Sequence, residues 1–275
     1  MKSMVHEYHL HMISDSTGET LNTVAKAVGA KFEGAIAREH IYSLVRSENQ
    51  LRRALQHISA NPGIVFSTLV NPGLRRLLEQ ECRKMKLPCV SVLDPAVEAM
   101  KKYLGVEEAH RPGAQHEMDA RYQERVEALN YAMQHDDGQN IQNLAEADVI
   151  LVGVSRSSKT PTSIYLAIRG VRAGNIPIVP GIPPPEHLFT LSKPLFVGLW
   201  LTPERLLQIR KNRLTTMGEN KCSDYVDEDA IRAELAMTRR LFESRGWPTI
   251  DVTRRSIEET AAAILNLLAE RNAPQ

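Results

Sequence analysis

The stretch Ala147-Asp-Val-Ile-Leu-Val-Gly-Val-Ser-Arg-Ser-Ser-Lys-Thr-Pro161 decides the fold of this chain. It begins as an apolar strand, passes through a short loop and continues into a helical pattern. The Walker A phosphate-binding pattern is Gly, four residues, Gly, Lys and then Ser or Thr. Gly153, Lys159 and Thr160 fit this pattern, and Ser158 stands in place of the second glycine. We therefore predict a P-loop of imperfect sequence between the strand and the helix.

A P-loop here would bind phosphate through its backbone and its cations. Inward-facing N–H groups can hold phosphate oxygens, and the helix N-terminus adds a partial positive charge. Lys159 can reach terminal phosphates, the Thr160 hydroxyl can hold Mg²⁺, and Arg156 can bind a phosphate with two hydrogen bonds. The predicted nucleotide-binding loop consists of Gly153, Val154, Ser155, Arg156, Ser157, Ser158, Lys159 and Thr160.

Ser158 weakens the match to a P-loop. Glycine at this position lets the backbone adopt a conformation that is costly for other residues. The alternative is an ordinary helix start after a strand, capped by serine. We favour the P-loop because strand, loop, Lys-Thr pair and helical pattern occur together.

Short apolar segments alternate with longer amphipathic segments along the whole chain. This alternation predicts an α/β protein with two parallel-sheet halves, the C-terminal one a P-loop kinase-like domain. The predicted strands are 8–13, 40–45, 63–69, 88–93, 148–152, 175–179, 195–201 and 249–252. The predicted helices are 20–32, 48–58, 72–85, one opened by Pro95, 119–133, 161–173, 203–213, 227–245 and 256–269.

The alternation breaks after Gly105, in a polar stretch that carries Pro112 and Gly113. We place the domain junction there. The predicted division is an N-terminal α/β domain over 1–108, a connecting segment with a helix over 109–145, and a P-loop nucleotide-binding domain over 146–275. The two halves share one plan, in which a strand leads through a phosphate-type loop into a helix.

Charge and composition exclude several classes of protein. Lys and Arg number 34 against 33 for Asp and Glu, so the chain has no general nucleic-acid footprint. No apolar run is long enough to span a membrane, and the first ten residues contain no secretory signal. The three cysteines are predicted to be free thiols. We expect a soluble, cytoplasmic protein that binds neither nucleic acid nor membranes.

The segment Ser14-Asp-Ser-Thr-Gly-Glu-Thr20 joins the first predicted strand to the first predicted helix. Open α/β sheets bind ligands at the carboxyl ends of their strands. Hydroxyls, Gly18 and a helix start suit an oxyanion, and Asp15 could serve as a general base or position Mg²⁺. The alternative is a capping box formed by Ser16 and Glu19, and the residues leave both open.

The segment His135-Asp-Asp-Gly138 follows the predicted helix 119–133. Two adjacent carboxylates could hold Mg²⁺ or deprotonate a hydroxyl, which makes Asp137 a candidate catalytic base. The alternative is a solvent-exposed helix end, since charged helix ends are common.

A basic run lies on the helix predicted from Pro203, namely Arg205, Arg210, Lys211 and Arg213. Arg210 and Arg213 are three residues apart and share a face, so they could close over nucleotide phosphates as a lid. The alternative is a solvent-exposed basic face. The loop 180–185, with four prolines, could shape an adenine pocket or merely connect two strands.

Seven features occur in order from the first strand to the last helix: Ser14-Asp-Ser-Thr-Gly-Glu-Thr20, His135-Asp-Asp-Gly138, the stretch Ala147 to Pro161, Asn175-Ile-Pro-Ile-Val-Pro180, Gly198-Leu with Pro203-Glu-Arg-Leu206, Ile209-Arg210 with Arg213, and Ser256-Ile-Glu-Glu-Thr260. In this combination the chain resembles the pyruvate, phosphate dikinase regulatory proteins, a family that also includes the phosphoenolpyruvate synthase regulators. That family tolerates Ser at position 158.

The resemblance implies a bifunctional enzyme. It would use ADP to phosphorylate a Thr of the dikinase, which is then inactive, and it would remove that phosphate with inorganic phosphate, releasing pyrophosphate. Gly153 to Thr160 would bind the nucleotide, and Lys159 would stabilise the transferred phosphoryl group. Asp137 and Asp15 are the candidates to accept the Thr proton. The P-loop or the segment Ser14 to Thr20 would hold the attacking phosphate.

Three alternatives remain. The form of the segment at Ser14 to Thr20 favours the dikinase as target, but the synthase could be regulated by the same chemistry. A P-loop kinase for small molecules and a non-catalytic nucleotide sensor are the other two. Oligomeric state is open, with a homodimer among the options.

Overall fold

The computed structural model describes residues 6–107, 120–217 and 224–272. The chain divides into two compact units, Met1–Glu117 and Met118–Gln275, and each unit contains one four-stranded sheet. The polar segment predicted around Pro112, the predicted junction between 108 and 109, and the loop at 218–223 lie outside the described residues.

The first unit alternates strands and helices. Its sheet has the order β2-β1-β3-β4, and every neighbouring pair is parallel. The elements are β1 His6–Ser14, α1 Glu19–Gly29, β2 Ala35–Tyr42, α2 Glu48–Ala60, β3 Gly63–Thr68, α3 Pro72–Lys84, β4 Cys89–Ser91 and α4 Asp94–Leu104.

Two of these helices begin at capping residues that can be recognised in the sequence. The Ser47 hydroxyl accepts a hydrogen bond from the Gln50 N–H, and together these residues form a capping box at α2. Asn71 caps α3, which begins at Pro72, where proline is favourable because a first-turn N–H has no partner inside the helix.

Successive side chains of β1 point to opposite faces of the sheet. Met12 packs with α1 on one face, and Ile13 packs with α2 and α3 on the other.

The second unit repeats this architecture. Its sheet has the order β6-β5-β7-β8, again with parallel neighbours throughout. The elements are α5 Ala120–Gln134, β5 Val149–Val154, α6 Lys159–Ala167, β6 Ala173–Ile178, β7 Leu195–Trp200, α7 Pro203–Met217, α8 Glu228–Arg245, β8 Thr249–Asp251 and α9 Ile257–Asn272, with short 3₁₀-helices at Ile141–Glu146, Glu186–Thr190 and Asp224–Val226.

β5 is buried along its whole length, because apolar side chains cover both of its faces. Val149 and Leu151 pack in one apolar cluster, and Ile150 and Val152 pack in another. This pattern explains why the segment is continuously apolar rather than alternating. The prediction of two α/β halves with parallel sheets is confirmed.

The two sheets have the same strand order. In each unit the first strand is central, and the helices that leave the two central strands lead toward opposite edges. Such a reversal leaves a crevice at the carboxyl ends of these strands, and open α/β sheets bind ligands there. The crevices lie after β1 and β3 in the first unit and after β5 and β7 in the second.

Two predicted elements differ most from the structure in their bounds. The helix predicted over 161–173 spans Lys159–Ala167, since Gly170 has φ +82° and ends the helix. The N–H groups of Gly170 and Val171 bond the carbonyls of Ala167 and Leu166, which is a Schellman motif.

The second strand, predicted over 40–45, spans Ala35–Tyr42. It is an exposed edge strand that pairs with β1, and its Ala-Ile-Ala-Arg-Glu sequence carries little β-propensity of its own. Within the described residues no helix is long and apolar enough to cross a membrane.

Candidate functional site

Gly153 stands where the backbones of β5 and β7 and the following loop converge. A Cβ at this position would lie 2.6 Å from the Leu199 carbonyl oxygen and 2.7 Å from Ser157 Oγ. Ser157 is itself fixed, since its hydroxyl donates a 2.9 Å hydrogen bond to the Val154 carbonyl. Only glycine fits at position 153, because the nearest obstacle is backbone rather than a side chain that could move.

The loop after β5 contains two residues in the left-handed backbone region. Arg156 has φ +73° and Ser158 has φ +63°, and each costs about 1–2 kcal/mol relative to glycine. Ser158 occupies the N-cap position of α6, but its side chain makes no capping hydrogen bond. The alternative of a serine-capped helix start is therefore wrong, and Ser158 adopts the backbone conformation for which glycine is usually needed.

Lys159 is turned back into the loop. Its ammonium donates hydrogen bonds of 3.0 Å to the Gly153 carbonyl and 2.9 Å to the Val154 carbonyl. Only 5% of the residue is exposed. Burial lowers the pKa of Lys159 to about 8, although the carboxylates of Asp137 and Asp136 act in the opposite direction. The loop thus holds a cation whose charge is poorly solvated, and such a cation favours contact with an anion.

A polar cavity of about 290 Å³ opens beside this lysine. It combines two cationic side chains, three hydroxyls and a carboxylate, which suits a phosphate group and the hydroxyl that would receive it. The lining residues are Asp137, Ser155, Arg156, Ser158, Lys159, Thr160, Pro161 and Ile209. The structure therefore brings predicted Asp137 together with the predicted loop.

The turn after α5 is bonded to the start of α6. Asp136 Oδ1 accepts a 2.8 Å hydrogen bond from the Thr160 hydroxyl and a second one from Asn175 Nδ2. Asn175 Oδ1 accepts from the Asp137 N–H at 3.0 Å. Sequence reasoning included Asp136 in the pair of carboxylates that could hold Mg²⁺, but it did not name Asn175 as a site residue. The available signal was a polar residue, Asn175, inside an apolar strand.

His135 does not belong to a solvent-exposed helix end. Its ring is buried and stacks on Tyr131 with centroids 3.9 Å apart, and Nδ1 lies 2.8 Å from the Tyr131 carbonyl oxygen. For this residue the alternative interpretation is wrong. Asp137, two positions on, is exposed and remains accessible from the polar cavity.

Arg210 is buried rather than part of a lid. Its guanidinium forms a bidentate ion pair with Glu234, at 2.9 and 3.0 Å, and it also donates to the Ser155 carbonyl at 3.4 Å. Arg213, three residues on, is exposed. The predicted lid of Arg210 and Arg213 is therefore wrong, because Glu234 of α8 draws Arg210 into the interior.

A second, apolar cavity of about 510 Å³ adjoins the loop at Ser155. Ser155 lines both this cavity and the polar cavity. The lining residues are Ser155, Ile178, Val179, Pro180, Arg210, Tyr225, Ala230, Ala233, Glu234 and Met237. A further cavity of about 330 Å³ is lined by Pro183 and Pro184, so the proline loop shapes cavity walls as well as connecting strands.

In the first unit, Asp15 lies at the crevice between β1 and β3. Its Oδ2 accepts a 2.7 Å hydrogen bond from the Val70 N–H, and its carbonyl accepts from Arg46 Nε at 2.9 Å. Ser14 Oγ accepts from the Thr68 hydroxyl at 3.0 Å. The hydrogen bonds from Val70 and Thr68 connect the carboxyl ends of the two central strands, β1 and β3.

The segment after Asp15 does not form the alternative capping box. Gly18 is the N-cap of α1, with φ +86°, and no side chain caps the helix. The Ser16 N–H instead donates to Ser14 Oγ at 3.1 Å. The capping box of Ser16 and Glu19 is therefore wrong. In the described parts of the chain, no group of three or more His, Cys, Asp or Glu side chains could hold a metal ion.

Comparison with known proteins finds similar sequences over nearly the whole chain. The model of the kinase/pyrophosphorylase family matches residues 10–265. A protein of Caulobacter vibrioides named "Putative pyruvate, phosphate dikinase regulatory protein" is 59% identical over 95% of this chain and 83% of its own length. Proteins of the same name from Maricaulis maris and Bradyrhizobium diazoefficiens are 53% and 52% identical, each over 96% of this chain, and are covered over 94% and 95% of their lengths. The matches span both units.

Proposed function

Because the chain belongs to the kinase/pyrophosphorylase family, we propose that it regulates a pyruvate, phosphate dikinase by adding and removing a phosphate. In one direction it is an ADP-dependent serine/threonine kinase that inactivates the dikinase by phosphorylating a Thr. In the other direction it restores the dikinase with inorganic phosphate and forms pyrophosphate. The names of the relatives support the dikinase, rather than the synthase, as the target.

The observation that carries the proposal is the pair of cavities that share Ser155. A nucleotide has an apolar base and a charged phosphate chain, and this pair offers a matching surface for each. The apolar cavity, of about 510 Å³, lies within the usual range for ligand sites. The base occupies it, with Val179 and Pro180 on its wall, and the phosphates lie in the polar cavity.

Lys159 and Arg156 stabilise the transferred phosphoryl group. In phosphoryl transfer the charge is spread over equatorial oxygens, so positioning and fixed cations together contribute most of the catalysis. Both residues line the polar cavity. Lys159 is nearly desolvated, which strengthens its attraction to an anion.

Thr160 and Asp136 would hold Mg²⁺. Their side-chain oxygens lie 2.8 Å apart, and hydroxyl and carboxylate oxygens are the ligands that this hard cation prefers. The ion would neutralise charge on the nucleotide phosphates.

Asp137 is the general base of the kinase direction. It is exposed and lines the polar cavity, whereas Asp136 is engaged with Thr160 and Asn175. A carboxylate within reach of the acceptor hydroxyl can take its proton as the oxygen–phosphorus bond forms. Asp15, the second candidate, already bonds the Val70 N–H through Oδ2, so replacing each aspartate alone decides between them.

The reverse direction uses the same cations. An oxygen of inorganic phosphate attacks the phosphorus of phospho-Thr, and the bond from phosphorus to the Thr oxygen breaks. Asp137 takes a proton from the attacking hydrogen phosphate and passes it to that oxygen, so the products are pyrophosphate and unmodified Thr. The polar cavity holds the attacking phosphate beside Lys159.

The decisive experiment is transfer from ADP labelled in its β-phosphate to a purified dikinase. Label on a Thr of the dikinase, with AMP as the other product, is the expected result. Parallel reactions contain ATP, a phosphoenolpyruvate synthase or candidate metabolites. Labelled metabolite with unlabelled dikinase would indicate a small-molecule kinase, and nucleotide binding without any transfer would indicate a sensor.

A further inference from the structure

The loop after β5 needs support from outside itself. Arg156 and Ser158 both have positive φ values, and strained residues of this kind persist only where the surrounding structure holds them. Lys159 supports the loop from within, through the carbonyls of Gly153 and Val154. The Ser155 carbonyl accepts its hydrogen bond from another element.

Arg210 of α7 supplies that donor. Its Nη2 donates to the Ser155 carbonyl at 3.4 Å, and its Nη1 donates to the Tyr225 carbonyl at 3.3 Å. The guanidinium carbon also lies 4.6 Å from the centre of the Tyr225 ring. The Tyr225 hydroxyl accepts a 3.3 Å hydrogen bond from Arg156 Nε. One guanidinium therefore contacts the loop directly at Ser155 and indirectly at Arg156.

Glu234 of α8 fixes this guanidinium. The two side chains pair at 2.9 and 3.0 Å with only 3% and 7% of their surfaces exposed. The bidentate geometry sets the plane of the guanidinium. Both amino groups of Arg210 divide their bonds between Glu234 and the backbone carbonyls of Ser155 and Tyr225, so each N–H of these groups has a partner.

We propose that Glu234 is a positioning residue, which holds Arg210 against Ser155 and Tyr225 and thereby keeps the loop in its phosphate-binding shape. Its effect on turnover rests on the proposed function, but its effect on the loop does not. Arg210 accordingly binds the loop backbone rather than a nucleotide phosphate. Without the carboxylate the buried guanidinium has no counter-charge, and its position against Ser155 and Tyr225 is no longer fixed.

The test compares Glu234→Gln with Glu243→Gln. Glu243 lies on the same helix and pairs with Arg239 at 3.2 Å, but that pair is exposed, so its variant controls for loss of an ion pair on α8. Amide hydrogen exchange of the unliganded protein is followed in peptides that cover 153–160. In Glu234→Gln exchange of these peptides should be about tenfold faster or more, and in Glu243→Gln it should be unchanged.

Kinetics of transfer from ADP to the dikinase give a second measurement. The turnover number kcat of Glu234→Gln should fall about tenfold or more, while the KM for ADP changes less than about threefold, because a misplaced loop mainly affects the transition state. If the wild-type chain transfers nothing, the proposed function fails and hydrogen exchange still decides the role of Glu234.

A double variant, Arg210→Met with Glu234→Met, separates positioning from charge burial. It removes both the uncompensated charge and the hydrogen bond to the Ser155 carbonyl. Exchange of 153–160 should remain fast in this variant, and the same measurement applies if Glu234→Gln does not fold. Wild-type protection of the loop in either folded variant overturns the proposal.

Discussion

The Thr160 hydroxyl donates a 2.8 Å hydrogen bond to the Asp136 carboxylate, which joins the first turn of α6 to the turn after α5. The two residues are 24 positions apart in the chain. Asn175 of β6 completes the connection, since it donates to Asp136 and accepts from the Asp137 N–H. The acidic turn is thereby fixed at the polar cavity, and its two aspartates have different surroundings.

Asp136→Asn should weaken the use of Mg²⁺. The amide keeps much of the hydrogen bonding but loses the negative charge that a hard cation prefers. We expect the Mg²⁺ concentration for half-maximal transfer from ADP to rise about tenfold or more. A titration of Mg²⁺ against transfer rate measures this, and an unchanged midpoint would remove Asp136 from the ion site.

Asp137→Asn should affect turnover instead. A general base contributes about 10²–10⁴-fold to rate, so kcat should fall by at least about 10² while the Mg²⁺ midpoint stays constant. The matched variant Asp15→Asn tests the second candidate base. A larger loss of kcat in Asp15→Asn, with normal folding, would transfer the role of base to the first unit.

Lys159→Ala should abolish detectable transfer and weaken nucleotide binding. The ammonium is a desolvated cation at the polar cavity, and charge-assisted contacts in such a site contribute about 10²–10³-fold to rate. Calorimetry with ADP measures the affinity, and the transfer assay measures the rate. Lys211→Ala, which removes an exposed lysine of α7, is the control and should behave as wild type. Normal ADP affinity in Lys159→Ala would contradict the phosphate-binding role.

ADP affinity should decrease as the pH rises through about 8. Burial lowers the pKa of Lys159 from 10.5 to about 8 in the unliganded protein. Below that pH the lysine is charged and attracts phosphate. Above it the free protein loses the proton, which must be regained for binding. Calorimetry from pH 6.5 to 9.5 follows the change, and Lys159→Arg, which stays charged, should lack it. Equal pH dependence in both proteins would show that another group titrates.

Ser158→Gly should stabilise the second unit. Ser158 has φ +63°, where glycine avoids a cost of about 1 kcal/mol or more for a residue with a side chain. The greater entropy of unfolded glycine reduces the gain, so we expect an increase of up to about 1 kcal/mol in the free energy of unfolding. Urea denaturation measures it. Ser192→Gly, at an exposed position without positive φ, should not stabilise, and a loss of stability in Ser158→Gly would contradict the interpretation.

Local features of the fold were predictable because the residues that determine them are close in sequence. Pro72 with Asn71 marks the start of α3, and the apolar run at β5 marks a strand that is buried on both faces. The loop after β5 was predictable for the same reason, since strand, glycine, Lys-Thr pair and helix are contiguous.

Features that depend on distant partners were not predictable. The buried position of Arg210 depends on Glu234, which lies 24 residues away. The surroundings of Asp136 depend partly on Asn175, which lies 39 residues away. No spacing rule connects such pairs, because parallel sheets join segments that are far apart in the chain. The capping box at Ser16 failed for a local reason, since Gly18 takes the N-cap position with φ +86°.

Ser155 forms part of the wall of both cavities, and this has an evolutionary consequence under the proposed function. A larger side chain there would alter the choice of nucleotide and the rate of transfer together, because it would narrow the base pocket and displace the phosphate loop in one step. At this position, nucleotide selectivity and the rate of phosphoryl transfer therefore cannot change independently. A lineage that changes its nucleotide must acquire its substitutions elsewhere, on the α8 side of the apolar cavity, where Ala230 and Ala233 leave room for new side chains.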